Sequence, residues 1–529
     1  MQLTRSAHID TFTRDHLPPA DQWPVFVFDL PEVRYPERLN AASRLLDATI
    51  ERYGADRLCL MSPTERWSYA DVARRVNQVA HVLVDDLGLV PGNRVLLRAP
   101  NNPWLVICWL AVLRMGGVVV TTMPLLRSSE LRTIHEIARI DHSLVDDRFV
   151  TDLAAADIGA YTTFGDLAKR SADKDVDFAA VDTAADDVAL LAFTSGTTGR
   201  PKATMHFHRD ILANADTFAR HVLKPRPDDL VTGSPPLGFT FGLGGLVVFP
   251  LYAGAASLLL EKGTPDVLEA ALVEHRPTML FTAPTAYRTL LADGADLSSL
   301  RRCVSAAEPL PKATWEAFHQ ATGLKIIDGI GSTEMLHIFI SAADDDIRPG
   351  ATGKPIPGYY ATILDDDGNE VPDGQIGRLA VRGPTGCRYL DDERQKTYVQ
   401  HGWNLTGDTY YRDEDGYFWY QARNDDMIIS AGFNIAGPEV EAALLRHPEV
   451  VECAVVGVPD PQRTMTVKAY VVLRPGVLGD DAKVAELRDH CRREIASYKA
   501  PRAIEFIEAL PRTSTGKVQR YVLREQASR

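Results

Sequence analysis

The sequence predicts a mixed α/β and α+β protein in two parts: a large domain of helix-covered sheets with a small β-rich subdomain, then a small α+β domain. Three observations predict it. At 529 residues the chain exceeds what one hydrophobic core organises. Helix-then-strand alternation recurs from Trp67 to Gly331, and the composition shifts twice, near Gly353 and near Asp425. The domains are expected at residues 1–424 and 425–529.

From Trp67, the text WSYADVARRVNQVAHVLVDDLGLVPGNRVLLRAPNN reads as a turn, an amphipathic helix with apolar residues three and four apart, and a short apolar strand after Gly92. The same alternation returns in NPWLVICWLAVLRMGGVVVTT, LRTIHEIARIDHSLVDD, TPDVLEAALVEHRPTMLFTAP and PKATWEAFHQATGLKIIDGIG. Such repetition favours largely parallel sheets with helices on both faces. Residues 230–260 form the longest uncharged run. Pro235, Pro236, Pro250 and several glycines interrupt it, which argues against a membrane span and for buried strand and loop.

After Gly353, Gly- and Asp-rich turns separate short strands, as in YYATILDDDGNEVPDGQIGRLAVRG and DTYYRDEDGYFWYQAR, and predict antiparallel hairpins. The last part restarts as helix GPEVEAALLRHPEV, strands VECAVVGVP and VKAYVVLR, helix AKVAELRDHCRREI and strand RAIEFIEAL. A hundred-odd residues of this kind suit a small domain.

Charge and cysteine usage narrow the function classes. With 57 Lys+Arg against 71 Asp+Glu, the net charge of -14 argues against nonspecific binding to nucleic acid or an anionic membrane. Six scattered cysteines, without a CxxC pair or a histidine at metal-ligand spacing, fit buried free thiols in a reducing cytoplasm. Residues 1–18 have no signal-peptide apolar core, so cytoplasmic location is expected.

The densest chemical signal is FTSGTTGRPKAT, residues 193–204, which runs on from the apolar strand VALLAF. Hydroxyls of Thr194, Ser195, Thr197 and Thr198, the permissive backbones of Gly196 and Gly199, and the charges of Arg200 and Lys202 make a loop able to wrap a polyphosphate. It does not match the GxxxxGK[ST] pattern.

This loop resembles the signature of the adenylate-forming superfamily, which includes acyl-CoA synthetases, nonribosomal adenylation domains and luciferases. Five further blocks follow in the family's order: SAAEPLP (305–311), DGIGSTE (328–334), GWNLTGD (402–408), ARNDDMIISAGFNIAGPEVE (422–441) and TSTGKVQR (513–520). The resemblance implies ATP-dependent coupling of a carboxylic acid to AMP, then transfer of the acyl group to a thiol. Carboxylate and α-phosphate are both anionic, so catalysis must rest on positioning and charge neutralisation.

The resemblance also implies roles. Glu334 would hold Mg2+ and Thr333 would contact the α-phosphate, with Ser332 beside them. Asp408, expected in a Gly-Asp turn, would accept both ribose hydroxyls, with Arg423 as a second ribose and phosphate contact. Ala307, Glu308, Pro309 and Asp328 would line the adenine, and Ile330 stands where many relatives place tyrosine. Lys517 would bridge carboxylate and α-phosphate from the small, mobile domain. Asp425 would be the hinge, and Ala431, Gly432 and Phe433 would meet coenzyme A.

For the acyl pocket the resemblance implies Phe239, Phe241, Ala306, Gly331, Met335 and His337. Phe239 occupies the position where α-amino-acid-activating relatives carry Asp, so an α-ammonium would be left unpaired. The apolar side chains suggest a flat slot suited to an aromatic acid. DGIGSTEMLHIFI resembles benzoate-CoA ligases, and SAHIDTFTRDHLPP resembles the 2-aminobenzoate branch. Coenzyme A is the expected acceptor and a separate acyl-carrier protein the alternative; a homodimer is common in the family. A nucleotide-binding sensor without catalysis is the remaining alternative, although Thr333, Glu334, Asp408, Arg423 and Lys517 are all present.

Overall fold

The computed structural model describes residues 3–194, 201–423, 426–430, 433–460, 464–495, 497, 499–512 and 517–527. The first alternating unit shows why the pattern folds as it does. Ser68 caps the helix Tyr69–His81: its hydroxyl accepts from Asp71 N at 3.1 Å, and Asp71 accepts in return from Ser68 N at 3.1 Å. Such a cap contributes about 1 kcal/mol. Val72, Val76, Val79 and Ala80 then face the core, and the strand Arg94–Arg98 follows with every residue buried.

That strand belongs to a six-stranded sheet in the order Tyr161–Thr163, His142–Val145, Arg94–Arg98, Val118–Thr122, Val188–Thr194, Lys202–Phe207. All pairs are parallel except the last, an antiparallel hairpin whose connection is the Thr/Gly-rich loop. A nine-stranded sheet runs Lys354–Pro355, Ile338–Ser341, Ile326–Gly331, Arg302–Ser305, Met279–Thr282, Leu230–Gly233, Ala256–Leu258, Leu58–Met61, Arg66–Ser68, parallel in its centre and antiparallel at both edges.

Strand alternation assigns the two faces. Val95, Leu97 and Val119 join Phe281, Val304 and Ile327 in one large core that also holds the helix Pro103–Arg114. Leu96, Val118 and Val120 point the other way, to the helices Ser128–Ala138 and Val150–Ala156. Leu280, Cys303 and Ile326 meet the helices Pro265–His275, Pro284–Ala292 and Lys312–Thr322 on the opposite face of the larger sheet. Each fully buried Val, Leu or Ile contributes about 1.5–3 kcal/mol.

A five-stranded antiparallel sheet of Tyr360–Leu364, Gly377–Arg382, Val399–Gln400, Trp403–Arg412 and Phe418–Arg423 follows, as the turn-rich composition predicts. The last sheet comprises Ile428–Ser430, Phe433–Ile435, Val450–Asp460, Thr464–Leu473 and Ala503–Phe506, with the helices Gly437–Leu444 and Asp481–Glu494. Its core, from Ile428 to Ala500, draws nothing from the other sheets. All six cysteines are free, and burial raises their thiol pKa values. Among the described residues no helix is long and apolar enough to cross a membrane.

Two local expectations are corrected. Residues 240–253 are helical rather than strand and loop, in three consecutive turns Thr240–Leu243, Gly244–Val248 and Phe249–Ala253. Pro250 lies where the π-helical turn Gly244–Val248 gives way to α-helix, a change of hydrogen-bond ladder that accommodates its missing N–H. The glycines there serve packing: a Cβ on Gly244 would sit 2.4 Å from His337 Cδ2. Asp408 lies within the strand Trp403–Arg412, not in a turn. Gly407, at φ 78°, produces a register irregularity in place of a chain reversal, and Asp408 pairs across the ladder with Arg423.

Candidate active site

Three parallel strands, Met279–Thr282, Arg302–Ser305 and Ile326–Gly331, end on the same side. The crevice beyond the carboxyl ends of such strands is where open α/β sheets bind ligands. Residues 305–311 and 328–337 emerge there. Ala307 is held at φ 75° and Leu336 at φ 71°, both in the left-handed region that non-glycine residues seldom occupy. Such backbones cluster at functional sites.

Glu334 is only 6 % exposed. Tyr389 donates its hydroxyl to Glu334 Oε1 at 2.5 Å and accepts from Lys202 Nζ at 2.7 Å, while Lys202 Nζ lies 3.6 Å from the same Glu334 oxygen. Tyr398 meets Ser332 through their hydroxyls at 3.2 Å. Behind the loop, His206 Nε2 contacts Thr333 O at 2.8 Å, and the fully buried pair Arg388–Asp210 stands beneath. The family blocks locate Lys202, Ser332, Thr333 and Glu334; they miss Tyr389, Tyr398 and His206. Tyr389 is 55 positions from Glu334, and only tertiary pairing joins them.

Asp408 is 8 % exposed and accepts from Arg423 Nη1 at 3.2 Å. Burial raises its pKa against the opposing pull of Arg423, Thr406 and Lys517. Asp328 ends in an unusual state: Oδ1 is buried without a hydrogen-bond partner among the described residues. Burial lifts its pKa to about 7, with the Gly329 N–H and Ser305 resisting. A buried acceptor left unpaired costs about 1–3 kcal/mol and signals a missing donor.

Lys517 reaches the same crevice from the last part of the chain. Its side chain keeps access to water, yet protein crowds around it closely enough to lower its pKa, aided by Arg423 and opposed by Asp408, Glu334 and Glu308. The charges that act on Lys517 are those of Arg423, Asp408, Glu334 and Glu308, all of them in the motif blocks.

Next to this crevice lies an aromatic cage. His337, 3 % exposed, has ring centroids of Phe249 at 4.7 Å, Phe218 at 5.2 Å and Phe241 at 5.7 Å, and Phe281 stands 5.7 Å from Phe241. Neither imidazole nitrogen has a hydrogen-bond partner among the described residues. Burial drives its pKa down to about 3, offset in part by the nearby Phe241 backbone. The ring is therefore neutral at physiological pH and offers one donor and one acceptor. Phe218, Phe249 and Phe281 lie outside every motif block.

Other nominated residues are placed differently. Phe239 is half-buried at the start of the helix Thr240–Leu243, and its ring takes no part in the cage. Asn101 clamps the segment before it, donating to Pro235 O at 3.0 Å and accepting from Leu237 N at 2.8 Å. Met335 is fully buried and Ala306 is 6 % exposed, both in the large core, while Ile330 packs against that core half-buried. Gly331 is exposed, and a Cβ there would meet His337 O at 2.5 Å. Thr194 closes its strand, and Pro309 and Glu308 stand in the 305–311 loop. Ser195, Gly196, Thr197, Thr198, Gly199, Asp425, Ala431 and Gly432 lie outside the described residues, as does the side chain of Phe433.

The donor set suits Mg2+, a hard cation that typically takes one or two carboxylates plus substrate phosphates. Glu334 supplies such a carboxylate, fixed by Tyr389, at the inner wall of the crevice. By contrast, in the cluster of His447, Glu449 and Glu486 elsewhere, Lys483 already ion-pairs with both carboxylates.

Comparison with known proteins agrees with this geometry. The family model for AMP-binding enzymes matches residues 46–388, and that for the AMP-binding enzyme C-terminal domain matches 439–517. A benzoate–CoA ligase of Thauera aromatica is 34 % identical, covering 93 % of this chain and 97 % of its own. A 4-hydroxybenzoate–CoA/benzoate–CoA ligase of Rhodopseudomonas palustris is 33 % identical, covering 92 % and 94 %. The crystal structure of the anthranilate CoA ligase AuaEII with anthranoyl-AMP superposes with a TM-score of 0.90 at 35 % identity, over 94 % of this chain and 99 % of that one. The chain belongs to the family of AMP-binding enzymes.

Proposed function

We propose that the protein is an AMP-forming acid–thiol ligase that activates an aromatic carboxylic acid and transfers the resulting aroyl group to coenzyme A. The observation that carries this is the convergence of Lys517, from the last sheet's side of the molecule, with Glu334, Asp408 and Arg423 beside an aromatic cage. In the first step a carboxylate oxygen of the acid bonds to the α-phosphorus of ATP and the bond to pyrophosphate breaks. In the second, the thiol sulfur bonds to the carbonyl carbon, its proton leaves to solvent, and AMP departs with the electron pair.

In this reading the ion-paired Asp408 holds the ribose and Asp328 accepts from the adenine amine. Lys202 and the Thr/Gly-rich loop hold the outer phosphates, and Lys517 neutralises charge between carboxylate and α-phosphate. Glu334, steadied by Tyr389, would hold Mg2+, which supplies charge neutralisation at the phosphates when bound. Residues 1–424 would form the stationary body and 425–529 the moving one. Cytoplasmic location and a homodimer come with this reading on family resemblance alone.

Asp328 lends the proposal a pH signature. Its ionised form is the stronger acceptor, and that form is lost as pH falls through about 7. The KM for ATP is expected to rise between pH 8 and pH 6, by up to about tenfold per unit below the pKa. Asp328→Asn should flatten that dependence, measured by pyrophosphate exchange; an unchanged slope would remove the adenine role.

The neutral His337, whose nitrogens have no hydrogen-bond partner among the described residues, favours an aromatic acid bearing a hydrogen-bonding ring substituent such as the amine of 2-aminobenzoate. Purified enzyme given ATP, coenzyme A or a carrier protein, and a panel of aryl acids is expected to yield aryl-CoA, read as thioester mass. His337→Phe should lower kcat/KM for 2-aminobenzoate about ten- to a hundredfold relative to benzoate. Equal losses on both acids would take His337 out of substituent recognition.

A further inference from the structure

The segment that carries Lys517 is tied to the rest of the protein by a contact that none of the motif roles covers. Arg512 and Val518 form an antiparallel bridge, and Gln519 N donates to Pro511 O at 2.8 Å, so Arg512 sits across a hairpin from the residue next to Lys517. The Arg512 guanidinium spans two carboxylates: Nη1 donates to Glu308 Oε1 at 2.9 Å, and Nη2 to Glu452 Oε1 at 3.1 Å. Glu452 belongs to the same sheet as the hairpin's surroundings, on the strand Val450–Asp460. Glu308 belongs to the 305–311 loop on the other side of the crevice, where Thr285 Oγ1 donates to its second oxygen at 3.3 Å.

The neighbouring arginines behave differently. Arg520 binds Glu441 at 2.7 and 2.9 Å, and Arg524 binds Asp426, both within the last part of the chain. Arg512 therefore has one partner that would travel with Lys517 and one that would stay behind. With side-chain exposures of 27 % for Arg512 and 17 % for Glu308, the pair is shielded enough to outweigh an ordinary surface ion pair and wet enough to break reversibly.

We infer that Arg512 and Glu308 form a latch that positions Lys517 for adenylation and must open before the thiol step. This rests on the two-step reading above. A contact present in one orientation and absent in the other shifts the balance between them by its own free energy. Weakening it depopulates the adenylating orientation without touching the reacting atoms, so the two half-reactions should respond in opposite directions.

The test uses the full chain with Arg512→Gln, Arg512→Glu and the conservative Arg512→Lys. Arg512→Gln is expected to slow pyrophosphate exchange about tenfold and to leave thioester formation from a preformed aryl-adenylate unchanged or faster. Arg512→Glu should slow exchange further, and Arg512→Lys, which keeps a cation facing both carboxylates, should retain most of the wild-type rate. Spin labels at the exposed positions Val273 and Tyr521 report orientation independently of catalysis, and their distance distribution should broaden in Arg512→Gln. Parallel loss of both half-reactions, exchange in Arg512→Lys as slow as in Arg512→Gln, or a distribution superimposable on the wild type overturns the latch. If the wild type activates no acid at all, the ligase reading fails instead, and the distance distribution alone decides the latch.

Discussion

Lys517→Ala is expected to reduce pyrophosphate exchange by about a hundred- to a thousandfold, the usual loss when one preorganised donor to developing charge is removed. The same variant should convert a preformed aryl-adenylate to thioester at close to the wild-type rate. The reason is positional. Lys517 shares its surroundings with Glu334, Asp408 and Arg423, which border the proposed nucleotide site, and two anions cannot approach there without a cation between them. Crowding and the Arg423 charge hold the lysine below its ordinary pKa. The alkaline limb of the adenylation profile should therefore fall below the usual lysine range, because the needed cation is lost as pH rises through that lowered value. Equal damage to both half-reactions would show that the lysine supports the fold and not the first step.

The second large effect is expected at Glu334. Glu334→Gln keeps the side chain's shape and an oxygen able to accept from Tyr389, and removes only the charge. Loss of a metal ligand at a phosphoryl-transfer site forfeits several kcal/mol, so adenylation should drop by about a thousandfold. A readout apart from turnover is Mn2+ binding in the presence of a non-hydrolysable ATP analogue, followed by paramagnetic resonance. The wild type should hold the ion and the variant should bind it far more weakly. Undiminished Mn2+ binding by Glu334→Gln would move the metal elsewhere. The Lys202–Glu334 ion pair sharpens the contrast: with the carboxylate gone, a lysine with only 17 % of its side chain exposed loses its acidic partner and is released towards the phosphates.

Much of this architecture is local and hence readable from residue order. Helical three- and four-residue spacing and short apolar runs gave away helix–strand units from Tyr69 onwards, since core strands such as Arg94–Arg98 and Val118–Thr122 are buried on both faces. The ordered motif blocks named Lys202, Thr333, Glu334, Asp408, Arg423 and Lys517 because each block keeps its chemistry within a few consecutive residues. Local reading erred where local cues conflict with packing. Pro250 and the Gly242, Gly244 and Gly245 cluster look like helix breakers, yet the helix forms because His337 and Phe281 need that close approach. Gly407-Asp408 looks like a turn, yet the ladder to Arg423 runs through it.

Contacts between distant positions were settled by the tertiary structure alone. Parallel strands in the larger sheet are neighbours out of chain order, with Met279–Thr282 beside Leu230–Gly233 and the latter beside Ala256–Leu258. That arrangement gathers Phe218, Phe249 and Phe281 around His337, brings Tyr389 onto Glu334, and sets Arg512 against Glu308 across 204 positions. Periodicity reports which face of an element is buried, but not which other element buries it. The reaction class could thus be inferred from the order of residues, whereas the aromatic cage around His337 and the Arg512–Glu308 contact exist only once the sheets have packed.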